Sequence, residues 1–349
     1  MKKLLYIIGL LLLISCSESN KKKEKIQLLN YTVLIDDEAL NNPYLISVTD
    51  DFLFLANKKT DTIIETFSLN GEKISQFLLH GEGADEALNV VGLQYIAKDK
   101  ALHIVDNFRS LTYSVSLLDV GEDVVKINKE PIDLSNIDEK LAVRDWWYFL
   151  SNGNFISSSA SPQGMLSYYD MSKEKFNFYE KYPDFKLIND ELNESAAIEL
   201  FQSCCSVTPE GDKAAIVYYG SDIIGFITLN SDGLGTKFIV SQLPNDIYPI
   251  HLENGITRGA YTGKSLRHYV NVTTNKSNVY ALYCGLPEEK CAPGLMRGKW
   301  VRCYDWEGEL LHTIDLGLEV LKISVSADNK YLYALESSEN GFRVLRYEL

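Results

Sequence analysis

Six cysteines and five histidines are the side chains of this 349-residue chain best able to act as nucleophiles, metal ligands or proton carriers. Their spacing supports little of that chemistry. No Cys-x-x-Cys pair exists, so a zinc site has no starting ligands. Cys204 and Cys205 are adjacent; on a strand they point to opposite faces, so they read as two buried thiols rather than a bridge. Cys303 stands alone. Cys284 and Cys291 bracket the Gly285–Gly298 hairpin, and a disulfide there would contribute roughly 2–3 kcal/mol by closing a short loop. His80, His103, His251, His268 and His312 are scattered, with His103 and His312 inside apolar runs. There is no Gly-x-Ser-x-Gly, no Gly-x-x-x-x-Gly-Lys-Ser/Thr and no His-Glu-x-x-His. Asp36-Asp37-Glu38 and Asp50-Asp51 lack the alternating carboxylates and glycine of a calcium loop. The sequence therefore calls for no metal, no cofactor and no recognisable catalytic residue.

The remaining chemistry is that of anchoring and recognition. Met1-Lys2-Lys3 precedes an apolar run from Leu4 to Ile14, too short to span a bilayer but fitting a secretory leader. Its end, Leu13-Ile14-Ser15-Cys16, resembles the bacterial lipobox. That resemblance implies cleavage before Cys16 and acylation of Cys16, with several acyl chains giving stable anchoring. The alternative is an ordinary signal peptide that happens to contain a cysteine. Residues 16–26, polar and lysine-rich, read as the acylated cysteine and its tether. Only Glu18 stands ahead of the lysine run, which points to the periplasmic side of the outer membrane; the cell surface stays open.

Composition bounds the body that follows. Hydrophobic content of 46% and charged content of 23% describe a folded chain. The net charge is −14, and without Lys2 and Lys3 of the leader it is −16, from 32 basic against 48 acidic side chains. Such a body repels polyphosphate, so nucleic acid is excluded as a partner.

Two kinds of turn recur between short runs rich in Ile, Val, Tyr, Phe and Leu. The first precedes a strongly apolar run: Thr49–Asp51, Lys98–Lys100, Ser151–Gly153, Pro209–Asp212, Asn275–Ser277 and Ala327–Asn329. The second falls later in each unit, at Asn70-Gly71, Val120-Gly121, Ser172-Lys173, Asp232-Gly233 and Glu307-Gly308. Gly, Asn and Asp accept the backbone angles that tight hairpins require. Six turns of one kind and five of the other predict six four-stranded antiparallel units. The sixth ends on the strand Gly341–Tyr347, and Tyr31–Ile35 supplies its missing outer strand. The expected fold is an all-β, six-bladed β-propeller over residues 27–349, rather than a pair of β-sandwiches. Leu192, Ala196 and Leu200 suggest one short helix between blades.

The lipobox, the six units, Gly81–Glu86 between the first two blades, Val279–Tyr283 and Val301–Gly308 together resemble the TolB-like six-bladed propeller lipoproteins of the Bacteroides group. The resemblance covers nearly the whole mature chain. It implies fold and an envelope location, and brings no catalytic residues with it. Where family members often carry a Gly-Pro-Gly-Glu-like turn, this chain has Gly83-Ala84-Asp85-Glu86. Fold alone does not fix function.

In a propeller the connections between second and third strands, and between blades, share one face around the axial channel. Mapping the units onto that face brings Arg109, Arg144, Trp146, Trp147, Tyr218, Tyr219, His251, Arg258, Arg267 and His268 to it or near it. Arg, Trp and Tyr combine flat apolar area with fixed donors, the make-up of binding hot spots. Trp146 and Trp147 face opposite ways on a strand, so at least one packs between blades. The expectation is a lipid-anchored, non-catalytic module that binds an envelope protein or glycan through its loop face. The rival readings are a polysaccharide lyase or hydrolase with two acid/base groups in the channel, and a subunit of an envelope complex.

Overall fold

The structure, a computed structural model, describes residues 25–349 apart from 84, 123–124, 132–145, 159–160, 232, 254, 292–295 and 340. The leader, Cys16 and Arg144 lie outside the described residues.

Six antiparallel sheets follow one another along the chain. Blade 1 runs Pro43–Val48, Phe52–Asn57, Thr62–Ser68 and Lys73–His80, with Glu86–Ala87 added in parallel. Blade 2 is Val90–Ile96, Ala101–Asp106, Leu111–Ser116 and Ile127–Pro131; blade 3 is Trp147–Phe149, Phe155–Ser157, Leu166–Asp170 and Lys175–Tyr179. Blade 4 is Ser203–Val207, Lys213–Tyr218, Asp222–Asn230 and Gly233–Gln242. Blade 5 is Leu266–Thr274, Val279–Pro287, Gly298–Tyr304 and Leu310–Val320; blade 6 is Lys322–Val325, Tyr331–Ser338 and Gly341–Glu348. Both series of turns expected from the sequence fall between these strands.

Tyr31–Ile35 completes blade 6, with Tyr31 opposite Tyr347 and Val33 opposite Leu345. The chain thus closes the ring with its two ends and leaves no open edge there. Gly71 makes room for this latch: a Cβ on it would lie 2.3 Å from the Leu34 carbonyl oxygen, and its φ of +91° already favours glycine.

The strongly apolar second strands follow from their position. Each is covered on both faces by neighbouring blades, so alternate side chains enter two different cores. In Phe52–Asn57, Leu53 and Leu55 pack with Tyr333 and Leu335 of blade 6, while Phe54 and Ala56 pack with Leu102 and Ile104 of blade 2. In Lys213–Tyr218, Ala214, Ile216 and Tyr218 join blade 3, and Ala215 and Val217 join blade 5.

Two elements were not expected. Ile26–Leu28 pairs in parallel with Thr313–Asp315 at the outer edge of blade 5, so the tether already joins the fold at Ile26. An extra hairpin, Ile247–His251 with Thr257–Tyr261, stands in the connection from blade 4 to blade 5. The expected short helix is Ala197–Leu200, preceded by a 3-10 turn at Glu194–Ala196 whose Ser195 amide donates to the Asn193 side chain. Leu200 packs directly beneath Gly259 of the extra hairpin.

Candidate functional site

The loop face gathers its polar and aromatic side chains between blades 4 and 5. Arg267, at the start of the inner strand of blade 5, holds the Glu288 carboxylate through both nitrogens, Nε at 3.0 Å and Nη2 at 2.5 and 2.6 Å. Burial lowers the guanidinium's proton affinity, but the Glu288 carboxylate outweighs it and raises the pKa. Glu288 is fixed in turn, because its amide donates to Ser265 and that of Glu289 to Gly263. Arg267 and Glu288, with Tyr219, Tyr261, Leu266 and Met296, line a cavity of about 110 Å³. Gly220 forms part of the same wall, and any Cβ there would meet the Tyr261 hydroxyl at 1.8 Å. That hydroxyl donates to the Leu200 carbonyl at 2.7 Å, tying the extra hairpin to the short helix.

Above this cavity the hairpin leaves Tyr248, Ile250 and Ile256 exposed, at 64%, 40% and 39% of their surface. Its base is held by the Leu266 amide on the Asn245 side chain and by Ser265 on the Asp246 carbonyl. The result is an apolar ridge on a fixed stem beside a charged pocket.

Beneath the pocket lies a part-buried polar cluster. Arg302 donates to both Asp222 oxygens, at 2.8 and 2.9 Å, and to the Tyr269 hydroxyl at 3.1 Å. Its guanidinium lies 3.7 Å from the centre of the Tyr283 ring. Tyr269 donates to Asp222 at 2.8 Å and meets the Tyr304 hydroxyl at 3.2 Å. Every charge in the cluster is paired, as buried charge requires.

The structure divides the residues expected on this face. Tyr219 and Arg267 line the cavity. His251 and Arg258 lie on the hairpin but are already engaged. His251 meets Glu191 at 2.8 Å and Thr257 at 3.2 Å; Arg258 meets Glu199 at 3.3 Å. Arg109 turns onto the carbonyls of Gly81, Gly83 and Glu86 and so holds the blade 1–2 connection rather than reaching outward. Trp146 is partly exposed, in a left-handed conformation with φ of 54°.

Three expected contacts are corrected. Tyr218 shares the parity of Ala214 and Ile216, so it points into the blade 3–4 core and donates to the Met165 carbonyl. Trp147 is buried and stacks on Phe155 at 4.3 Å. His268 is fully buried against Tyr283, its Nδ1 3.2 Å from the Tyr283 hydroxyl. Burial pushes its pKa down to about 4, with Arg302 adding to the fall and Asp222 opposing it.

Cys284 lies inside the second strand of blade 5, not at the hairpin's edge, because that strand runs on to Pro287. Its sulfur is 3.8 Å from that of Cys291, and both are thiols in this structure. Cys204, Cys205 and Cys303 are buried thiols, their pKa values raised first by burial. Among the described residues, no three His, Cys, Asp or Glu side chains gather closely enough to hold a metal ion. No described helix is long and apolar enough to cross a membrane.

Six four-stranded sheets in sequence, latched by the N-terminal strand, define a six-bladed β-propeller. The family described as TolB-like 6-blade propeller-like matches residues 19–328, and the chain belongs to it. No curated protein sequence matches the chain. Among solved structures, a member of the DUF4221 family from Bacteroides vulgatus is similar with a TM-score of 0.57 at 10% identity, covering 94% of this chain and 98% of that one. A protein of Bacteroides fragilis described as exported has a TM-score of 0.54 at 10% identity, covering 91% and 94%. The Cps50 (Swd1) β-propeller domain of Myceliophteria thermophila follows at 0.51 and 10%, covering 90% and 99%. At such identity these likenesses speak for the fold alone.

Proposed function

We propose that this protein is a lipoprotein of the bacterial envelope, anchored through Cys16 on the periplasmic side of the outer membrane. Its propeller serves as a non-catalytic module that binds a protein or glycan through the loop face. The carrying observation is the inserted hairpin, which sets Tyr248, Ile250 and Ile256 in the open beside the Arg267–Glu288 pocket. Exposed aromatic and branched side chains on a stem fixed by hydrogen bonds lose little entropy on contact, and this favours binding. The opposite face, by contrast, is made largely of tight turns between neighbouring strands, such as 49–51, 208–212 and 275–278. The Leu-Ile-Ser-Cys ending supports the anchor, and the likeness to an exported protein is in keeping with it.

Membrane fractionation and capture from detergent-solubilised envelopes test this reading with three proteins. Wild type should sediment with membranes and retain a partner. Cys16→Ala should leave the membrane fraction. The double variant Tyr248→Ser, Ile250→Ser should stay membrane-bound and lose the partner. Identical partitioning of wild type and Cys16→Ala would refute the anchor, and unchanged retention by the double variant would refute the loop-face site.

A further inference from the structure

The axial channel holds a cation that the fold itself does not neutralise. Lys322 opens the inner strand of blade 6, at the end of the channel nearest the loop face, and its side chain lines a central cavity of about 120 Å³. That is many times the ~10–15 Å³ that a single water needs on the same measure. The ammonium has no hydrogen bond and no carboxylate partner among the described residues. The groups that act on it electrostatically come from other blades. Lys58 of blade 1 lowers its pKa and Cys204 of blade 4 raises it, while burial, the largest influence, lowers it. Lys322 lines the cavity together with residues of the inner strands of blades 1, 2, 4 and 5, which places it at the channel.

The other polar groups of the channel wall are mostly spoken for. Ser206 and Thr274 meet at 3.0 Å. Asn271 accepts the Ile323 amide at 2.8 Å. Gln94 both accepts from the Phe149 amide and donates to its carbonyl. These bonds fix the wall and leave Lys322 as the one charge among the described residues that line it. Such a part-buried, unpaired ammonium is costly unless something negative joins it.

The channel is also polarised along its axis. On the loop face Lys58 sits over the Tyr44 ring, 4.6 Å from its centre, close enough to Lys322 to act on it. At the far end Asp50 accepts from the Tyr95 hydroxyl at 3.1 Å. Tyr95 is pushed up to about 12 by burial and then by Asp50, Asp51 and Glu210. An anion is thus drawn in from the lysine end and repelled by the carboxylates at the other, which favours a place beside Lys322.

We propose that the axial channel binds one carboxylate group of a small hydroxylated acid, with Lys322 as its counter-charge and Lys58 guiding it in from the loop face. One ammonium balances one negative charge; a dianion would leave a charge buried and unpaired. Ser47, whose hydroxyl makes no hydrogen bond among the described residues, and the Ser206 and Thr274 hydroxyls, which keep lone pairs beyond the bond between them, suit a hydroxylated ligand over an aliphatic one. The carboxylate could come from a free hydroxy acid or from a uronic sugar.

Calorimetric titration and thermal melting of the full-length protein decide this with sodium lactate, sodium glucuronate, inorganic phosphate and glucose as probes. At least one of the two carboxylates should bind saturably and raise Tm, while glucose does neither. Lactate alone binding would identify the free acid as the source, and a preference for glucuronate the sugar. Lys322→Met should cut carboxylate affinity by about tenfold or more, and Lys58→Met by roughly two- to fivefold, with the latter effect fading at high salt. Tighter binding of phosphate, binding of glucose equal to that of glucuronate, or unchanged affinity in Lys322→Met would each overturn the proposal. Should Lys322→Met fail to fold, the wild-type comparison of the carboxylates with glucose decides it alone.

Discussion

The Val48 amide donates to Ser324 Oγ at 3.0 Å, joining the inner strands of the first and last blades across 276 residues of chain. Blades 5 and 6 repeat the device: Thr273 accepts from the Val325 amide and Asn271 from that of Ile323. An inner strand is paired on one side only, so the amides on its other edge need partners. Polar side chains of the adjacent blade supply them, and the ring is held at its axis as well as by the outer latch.

Ser324→Ala should therefore cost more than a surface hydroxyl. Ser324 and Val48 are both buried, and the variant would leave the amide unpaired. The expected loss is about 1–2 kcal/mol of unfolding free energy. Chemical denaturation checks it; a loss indistinguishable from zero would mean that water replaces the hydroxyl.

Stability should also fall with acid through His268. Its pKa in the folded protein is about 4 against an ordinary value of 6.5. The unfolded chain therefore binds the extra proton first, and the stability conferred by neutral His268 is lost as pH falls from 6.5 through 4. The contribution is at most about 3 kcal/mol. His268→Asn should flatten the Tm profile across that window relative to wild type, whereas parallel profiles would show that the imidazole does not titrate there. His103 and His312 are shifted the same way by burial, so the comparison with wild type is the informative one.

Cys284 and Cys291 should be joined in protein taken from an oxidising envelope, because their sulfurs already lie 3.8 Å apart. Peptide mapping without reductant should recover the two segments as one species. Free alkylation of both residues in native, never-reduced protein would exclude the bridge.

The sequence disclosed the ring through its punctuation. Gly71, Gly121, Gly153, Gly211, Gly233 and Gly308 all take positive φ at the turns that mark the repeat. The site was less legible, for reasons of parity and phase. Tyr218 and Tyr219 look equivalent in sequence, yet one residue's shift puts the first in a core and the second on the cavity wall. The extra hairpin turns at Leu252–Ile256, where Gly255 takes φ of 79°, so its Asn254-Gly255 signal was present. It falls out of phase with the blades, so the repeat does not mark it. Asp222 and Arg302 carried no signal, since their pairing depends on two blades meeting side by side.

The most direct test of loop-face recognition is site-specific photo-crosslinking in intact cells, with a photoreactive residue at Tyr248 in one protein and at Lys173 in another. Tyr248 stands on the exposed hairpin, and Lys173 on the blade 3 turn at the opposite face. Loop-face recognition predicts a discrete adduct from position 248 and none from position 173. An adduct from 173 with none from 248 would contradict it.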